Sequence, residues 1–226
     1  MITFEGVHHS YGERAVLRDI NLALDEPRVG IIGANGSGKS TLVRMINGLV
    51  TPSAGTVIVD GLDVARDGRG VRRNVGFVFP DPEAQIVMPT VVEDIAFSLR
   101  RFKLGRAAED RRIEAALSRF GLAQHRDHPA HLLSSGQKQL LALASVTATE
   151  PRVLVADEPT TLLDRRHTRA VMRHLDSLDQ QLILVTHDLD LLKDWERVLV
   201  IDEGQVVADG PGSSSIRTYC DLMDAT

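Results

Sequence analysis

The stretch that decides the fold is "GANGSGKST", residues 33–41, which follows the apolar run "RVGIIG" at residues 28–33. That run is short, continuous and rich in valine and isoleucine, as is typical of a parallel strand covered on both faces. Glycines up to Gly38 allow backbone N–H groups to turn inward around phosphate oxygens, and a helix that follows adds positive potential at its N-terminus. We therefore predict a strand, a phosphate-binding loop and a helix, in that order.

The loop has the pattern G-x-x-x-x-G-K-[ST]. In this pattern Lys39 reaches the outer phosphates and the Ser40 hydroxyl coordinates Mg²⁺. The alternative is an ordinary glycine-rich turn, but strand, loop and helix all fall where the motif needs them. The predicted phosphate contacts are Gly33, Ala34, Asn35, Gly36, Ser37, Gly38, Lys39, Ser40 and Thr41.

A second apolar run, "VLVAD" at residues 153–157, ends in Asp157 and is followed by Glu158. Asp157 at the end of a buried strand is suited to hold Mg²⁺ through water, and Glu158 is suited to polarise an attacking water. Acidic residues in this position can also simply cap the next helix, and only the phosphate loop makes that alternative the weaker one. Together these residues predict binding of a nucleoside triphosphate, followed by its hydrolysis.

The stretch "SSGQKQLLALA", residues 134–144, is a small polar turn that continues into an apolar helix. The spacing from Ser134 to Gln137 matches a capping box. The capping box does not explain Gly136, because glycine in the first turn lowers the stability of a helix by up to about 1 kcal/mol relative to alanine. A bare helix N-terminus with small residues is a good anion site, so we predict that it grips a phosphate held elsewhere.

These motifs resemble those of ATP-binding cassette ATPases over essentially the whole chain. The phosphate loop resembles the Walker A loop, "VLVADE" the Walker B strand, and "LSSGQ" at 133–137 the signature usually written LSGGQ. "TLLD" at 161–164 resembles the D-loop, His187 in "LVTHD" the switch histidine, and Tyr11 in "HHSYG" the aromatic residue that stacks on adenine.

In that family two cassettes pack head to tail, and each signature helix caps the ATP held by the other cassette. The resemblance implies that Glu158 is the general base, that His187 holds the γ-phosphate and attacking water, and that Asp164 links the two sites. The partner is then a second copy or a similar chain. The residues implied to serve the neighbour's ATP are Ser134, Ser135, Gly136 and Gln137.

In importing cassettes a glutamine normally follows "VF", where it touches Mg²⁺ and leads to a groove for a membrane partner. Here that position is Pro80, which has no side-chain donor or acceptor and no backbone N–H. One interpretation is that this metal contact is lost, or is supplied by water or by a side chain such as Gln85. The other is that Pro80 only sets a turn. Residues 86–88 could form the groove floor, although a core role is the default for apolar residues.

The runs "DPEAQ" (81–85), "MPTVVEDIAF" (88–97) and "EPTTLLD" (158–164) are similar to the ATPase subunits of energy-coupling-factor importers, most of all those for biotin. This resemblance implies a motor at the cytoplasmic face of the membrane. Its partners would be a membrane scaffold (T component) and a substrate-binding membrane protein (S component). Cobalt or nickel is the nearest alternative cargo.

The expected fold is an α/β P-loop NTPase with a RecA-like mixed sheet core, an antiparallel β-subdomain and an inserted helical subdomain. We predict one domain, residues 1–226, with the core at 1–81 and 150–226 and the helical subdomain at 82–149. Its helices are predicted from apolar residues at helical spacing. These residues are Val92, Ile95, Ala96 and Leu99, then Ile113, Ala116, Leu117 and Phe120. The serine run at 213–215 is expected to be a loop.

Composition narrows the function further. A net charge of −5 and the lack of long coiled-coil insertions or tandem cassettes argue against a cassette ATPase acting on nucleic acid or ribosomes. A stand-alone phosphotransferase would have no use for the signature. One cysteine permits no internal disulfide, and the start lacks the pattern of a signal peptide. His125, His128 and His131 invite a metal site, but a solvated loop is the favoured interpretation.

Overall fold

The computed structural model describes residues 1–225, which divide into two compact units. The first unit comprises Met1–Val75 and the chain from Gln181 onward, and the second comprises Gly76–Gln180. The elements of the first unit are β1 (Ile2–Tyr11), β2 (Arg14–Leu24), β3 (Arg28–Ile32), α1 (Lys39–Ile46), β4 (Ala54–Val59), β5 (Leu62–Asp63), α2 (Gly68–Asn74), β8 (Gln181–Val185), β9 (Arg197–Asp202), β10 (Gln205–Gly210) and α7 (Gly212–Asp224). Those of the second are β6 (Val75–Val78), α3 (Val91–Leu99), α4 (Arg106–Arg119), α5 (Ser135–Thr147), β7 (Val153–Asp157) and α6 (Arg165–Asp176).

The first unit contains a parallel set of strands in the order β9, β3, β8, with β10 antiparallel at the edge beside β9. Its inner strands are apolar on both faces, as expected for a covered sheet. Strands β9 and β10 form a hairpin through Glu203-Gly204, two residues between two apolar-rich runs, as is typical of a hairpin. Both residues have positive φ, 44° and 79°, as a two-residue type I′ turn requires.

The predicted antiparallel layer is also confirmed, with strand order β2, β1, β4, β5. Alternate residues of β1 point into the core, so that Ile2 and Phe4 are buried. The sequence analysis missed β2. Its buried residues Leu17, Ile20 and Leu22 are spaced by three and then by two, because the register shifts near Asp19, whose φ is +48°.

In the second unit, β6 and β7 are neighbours in the sheet and helices α3, α4 and α5 pack together. The helices predicted from apolar spacing are confirmed, since Ile95 and Leu99 of α3 and Ile113 and Leu117 of α4 are buried. The subdomain limits at 82 and 149 stay a prediction.

Two expectations are wrong. The serine run at 213–215 is not a loop but the first turn of α7, where the buried Ser215 hydroxyl donates to the carbonyl oxygen of Val198 at 2.7 Å. The default core role for residues 86–88 also fails, because none of them is buried and Val87 is 60% exposed. The backbone of this segment is held instead by Asp94 of α3, which accepts from the N–H groups of Val87 and Met88.

Within residues 1–225, no helix combines the length and the apolar character that crossing a bilayer would take.

Candidate functional site

The predicted phosphate loop joins β3 to α1, which begins at Lys39. Two of its glycines have backbone conformations that only glycine adopts easily, with φ of +151° at Gly33 and +109° at Gly38. A Cβ on Gly33 would lie 2.0 Å from the carbonyl oxygen of Ile201, and one on Gly38 would lie 2.9 Å from that of Val16. The path of the loop therefore depends on both glycines.

Lys39 reaches back across this loop. Its ammonium nitrogen donates to the carbonyl oxygens of Gly33 at 2.8 Å and Ala34 at 2.9 Å, and the side chain is buried. These contacts hold the ammonium group against the backbone of the loop, and the motif predicts that it meets the outer phosphates of a nucleotide.

The loop is braced from the β9–β10 hairpin. The Gly204 N–H donates to the carbonyl oxygen of Ser37 at 3.0 Å, and the Arg18 N–H donates to that of Gly204 at 2.8 Å. The buried hydroxyl oxygen of Ser37 has no hydrogen-bond partner among residues 1–225. A buried polar atom of this kind is expected to find a partner, which suits a loop built to receive a ligand.

His187 lies at the same edge of the sheet as the phosphate loop. Strands β3 and β8 are parallel with Ile31 opposite Val185, and the Thr186 N–H donates to the carbonyl oxygen of Ile31 at 3.3 Å. The loop and His187 both follow the carboxyl ends of these neighbouring strands, so the first unit brings them together. His187 is exposed there.

Tyr11, predicted to stack on adenine, is at the end of β1 with 52% of its surface exposed. The buried His9 meets it edge to face, with ring centroids 4.6 Å apart and ring planes at 85°. The tyrosine ring is thus supported on one side and open to solvent, as a stacking surface must be.

In the second unit, the fully buried Asp157 ends β7 and Glu158 follows it. Glu158 adopts a left-handed conformation, with φ of +52°, and such strained positions cluster at functional sites. Its carboxylate accepts a hydrogen bond from the Thr161 hydroxyl at 2.9 Å. The hydrogen bond from Thr161 therefore fixes the orientation of this carboxylate.

The capping box predicted at the start of α5 is confirmed. The Gln137 N–H donates to the Ser134 hydroxyl at 3.3 Å, and the Ser134 N–H donates to the amide oxygen of Gln137 at 2.9 Å. The fold also supplies a reason for Gly136, because a Cβ there would lie 2.2 Å from the Cδ2 atom of His167 on α6. The His167 ring occupies the space in front of Gly136, so a larger residue at this position would have to displace that ring.

His167 is in turn held by Asp164, the N-cap of α6. The Asp164 carboxylate accepts from the His167 N–H at 2.9 Å and lies 2.9 Å from its Nδ1 atom. The backbone hydrogen bond from His167 is the largest cause that lowers the pKa of Asp164 below its usual value. One histidine, His167, therefore contacts both Asp164 of the D-loop and Gly136 of the signature.

Gln85 has its side chain folded back on the end of β6. Its amide oxygen accepts from the Phe79 N–H at 3.1 Å, and its amide nitrogen donates to the carbonyl oxygen of Phe77 at 3.4 Å. Pro80 is the next residue after Phe79 in the sequence. The proposed metal contact of Gln85 would have to use an oxygen that already accepts one hydrogen bond, and it stays a prediction.

Sequence reasoning missed Asp94, a buried carboxylate on α3. One of its oxygens accepts from the N–H groups of Val87 at 2.9 Å and Met88 at 3.2 Å, and the other accepts from the Ser145 hydroxyl at 2.7 Å. Asp94 thereby ties the exposed segment to α5. No sequence pattern marks it, since aspartate in the first turn of a helix is common.

The two units hold different parts of the predicted site. The first contains the phosphate loop, Tyr11 and His187, and the second contains Asp157, Glu158, Asp164, Gln85 and the signature turn. No group of three or more histidine, cysteine, aspartate or glutamate residues within the described chain is arranged to hold a metal ion.

Replacing Gly33 with alanine tests the loop geometry. We expect affinity for ATP to fall by at least about tenfold, or 1.4 kcal/mol, because the new Cβ would collide with the Ile201 carbonyl. Gly61→Ala is the matched control, since Gly61 also has positive φ, +80°, but no atom lies within 4 Å of its Cβ position. Calorimetric titration with ATP would measure both, and equal affinities would contradict this role of Gly33.

Comparison with known proteins agrees with this geometry. The profile of the ABC transporter family matches residues 17–161. A Deinococcus radiodurans protein, provisionally named an ABC transporter ATP-binding protein, is 52% identical over 99% of both chains. The biotin transport ATP-binding protein BioM of Rhizobium etli is 45% identical over 98% of both chains, and that of Rhodobacter capsulatus is 43% identical over 93% of this chain and 90% of its own.

Solved structures share the fold. CbiO1 of Clostridium perfringens, part of the ABC transporter complex cbiONQ, matches with a TM-score of 0.86 and 32% identity over 99% of this chain and 93% of its own. The cassette MJ0796, dimeric and bound to ADP and Pi, matches with a TM-score of 0.82 and 27% identity over 93% of this chain and 98% of its own. The expected α/β cassette fold, with a mixed sheet, an antiparallel sheet and helices, is therefore confirmed. The chain belongs to the ABC transporter family and is an ATP-binding, ATP-hydrolysing subunit of an ABC transporter.

Proposed function

We propose that this chain is the motor of an energy-coupling-factor importer that takes up a vitamin, with biotin as the favoured cargo. Two relatives named as biotin transport proteins, at 45% and 43% identity, support this choice. The cobalt or nickel alternative rests only on the resemblance of the sequence motifs to the wider group of energy-coupling-factor ATPases. The exposed apolar segment at residues 86–88 is the observation on which the importer role depends most.

ATP is proposed to bind with its phosphates in the loop at 33–41 and its adenine against Tyr11. The signature turn of a second cassette, either another copy or a similar chain, would then close over the γ-phosphate. Dimers are known for cassettes of this fold, including one bound to ADP and Pi. The need for a neighbour accounts for a helix start of small residues, because it lets another molecule's phosphate approach backbone N–H groups.

In the proposed reaction, the oxygen of a water molecule attacks the γ-phosphorus while the Glu158 carboxylate accepts a proton from that water. The bond to the β-phosphate oxygen breaks, which leaves ADP and inorganic phosphate. His187 holds the γ-phosphate and the water in line. The hydrogen bond from Thr161 fixes the general base at the geometry this transfer needs.

Mg²⁺ is proposed as the accompanying cation. The Ser40 hydroxyl and the Asp157 carboxylate offer the oxygen donors that it prefers, and Mg²⁺ commonly binds through one or two protein ligands together with substrate phosphates. A cage of several protein carboxylates is therefore not required. The metal would neutralise charge that develops on the phosphates.

The proposed docking surface is a hollow of about 320 Å³ beside the exposed segment. Val87 is its most exposed apolar residue, and Lys138 of α5 pairs with Glu83 at its rim. Apolar hollows with a few polar groups suit a short segment of a partner protein. The residues that line it are Glu83, Ile86, Val87, Met88, Pro89, Ala130, His131 and Lys138.

This surface is connected to the signature helix at two points. Lys138, one residue after the signature, contacts Glu83, and Asp94 joins Val87 and Met88 to Ser145 on the same helix. Force applied by a partner in the hollow would therefore reach α5 directly. That connection suits a T component at the cytoplasmic face of the membrane, which would work with an S component that selects the cargo.

Paired charge substitutions, Val87→Asp with Met88→Asp, test the docking surface. We expect loss of co-purification with membranes that contain the T and S components, because two carboxylates would be desolvated without partners in the interface. Affinity for ATP should not change. Val207→Asp serves as the control, since Val207 is 42% exposed on β10, and unchanged co-purification of the paired variant would reject docking at this segment.

The choice of cargo is tested separately. Cells that produce this chain with its T and S components should accumulate labelled biotin, and the Glu158→Gln variant should abolish accumulation. Accumulation of cobalt or nickel instead of biotin would contradict the proposed cargo while leaving the motor role in place.

A further inference from the structure

His125 contacts the signature turn from a neighbouring segment. It ends the short 3₁₀ turn Ala123–His125, between α4 and α5, and is half-buried. Its Nε2 atom lies 2.9 Å from the side-chain nitrogen of Gln137, and its Nδ1 atom lies 2.8 Å from Nδ1 of His128. Both ring nitrogens are thus within hydrogen-bond distance of other side chains.

The capping box determines which atom donates at each contact. A backbone N–H can only donate, so the contact of Ser134 at 2.9 Å fixes the oxygen of the Gln137 amide on that side. The amide NH₂ must then face His125. Because that group only donates, Nε2 of His125 must be the acceptor and carry no proton.

The position of the second proton follows. A neutral His125 without a proton on Nε2 carries it on Nδ1 and donates it to Nδ1 of His128, which must accept. Every contact in the series from Ser134 through Gln137 and His125 to His128 then has one donor and one acceptor. A protonated His125 would instead place two donors against each other at Gln137.

We infer that His125 is a positioning residue for the signature turn, holding the Gln137 amide so that the turn keeps the orientation that another cassette's γ-phosphate requires. The inference rests on the proposed shared site. Gln137 is held at both ends of its amide, by the Ser134 N–H and by His125, which fixes the first turn of α5. Two of the three histidines, His125 and His128, thus gain a role in this network.

The protonation state can be measured directly. In the protein labelled with ¹⁵N-histidine at neutral pH, the imidazole nitrogen shifts of His125 should indicate a protonated Nδ1 and an unprotonated Nε2, the less common neutral form of free histidine. The Gln137→Leu variant should remove this preference. A proton on Nε2 of His125 would overturn the inference, whether or not the cassette dimerises.

Three substitutions separate hydrogen bonding from packing. In the Glu158→Gln background, His125→Gln keeps an acceptor near the Nε2 position, His125→Asn keeps only the Nδ1 position, and His125→Leu keeps only bulk. Loss of one acceptor should weaken ATP-induced dimerisation by about fivefold in the asparagine and leucine variants. The glutamine variant should stay near the parent, as should the control Gln124→Leu on the same exposed turn.

Equal dimerisation in the leucine and parent proteins would overturn the positioning role, since packing alone would then suffice. ATP affinity of the single cassette should be unchanged in all variants. If the parent Glu158→Gln protein itself stays monomeric with ATP, the proposed shared site fails, and the positioning role fails with it.

Discussion

Replacing Glu158 with glutamine is expected to lower the rate of ATP hydrolysis by about 10²- to 10⁴-fold, the usual contribution of a general base. Glutamine has nearly the same shape as glutamate but cannot accept a proton from the attacking water. ATP should still bind, because the phosphate loop lies elsewhere in the chain. The variant should therefore accumulate as an ATP-bound dimer, which size-exclusion chromatography with excess ATP would detect.

Glu150 provides a matched control for this substitution. It is also a glutamate with a left-handed backbone, φ of +53° against +52° for Glu158, and its carboxylate pairs with Arg112 on the surface. Surface pairs of this kind contribute about 1 kcal/mol or less, so Glu150→Gln should hydrolyse ATP at the normal rate. A normal rate in Glu158→Gln as well would show that another group accepts the proton.

Replacing Lys39 with methionine should cause the second large effect. The side chain keeps its length but loses its charge, and with it the hydrogen bonds to the carbonyls of Gly33 and Ala34. The predicted contact of the ammonium group with the phosphates is lost as well, and a hydrogen bond to a charged group contributes about 1.5–3 kcal/mol. Affinity for ATP should therefore fall by about 10- to 100-fold, and hydrolysis should be lost at ordinary ATP concentrations.

The control for Lys39→Met is Lys193→Met. Lys193 is 60% exposed and pairs with Asp190 three residues before it, so removing its charge should not affect ATP binding. Fluorescent ATP analogues would report both affinities. Equal binding by the Lys39 variant and the wild type would contradict the assignment of the phosphate loop.

The phosphate loop and its strand were predictable because their signal is local. An apolar run at 29–32 and glycines at fixed spacing are enough to define a strand, a turn and a helix start. The hairpin at Glu203-Gly204 follows from two adjacent residues in the same way. Where the determinants lie within about ten residues of one another, periodicity and turn chemistry identify the element.

Contacts between distant residues could not be predicted in this way. The space in front of Gly136 is filled by the ring of His167, which lies on another helix. The exposed segment at 86–88 is held by Asp94, which Ser145 contacts in turn. Strand β2 was missed because a bulge at Asp19 interrupts its alternation. The serine run at 213–215 lies in a helix, where the Ser215 hydroxyl donates to a buried carbonyl oxygen on β9.

The roles predicted for Tyr11, Asp164 and His187 came from resemblance to the family rather than from spacing. Asp164 illustrates the difference. In the structure Asp164 is the N-cap of α6 and accepts a hydrogen bond from the His167 N–H. Its proposed second role, linking the two ATP sites, concerns a contact with another molecule, and a single chain carries no local signal of such a contact.

A mixing experiment tests the shared site most directly. A chain with Lys39→Met and a chain with Ser135→Arg should each be inactive alone. The two chains are mixed in equal amounts without nucleotide, and ATP is then added. Half of the dimers should contain one chain of each kind, and each of these dimers has one intact ATP site out of two. The mixture should therefore recover about one quarter of the wild-type rate. A rate no higher than the sum of the two separate variants would contradict the claim that each ATP is held between two cassettes.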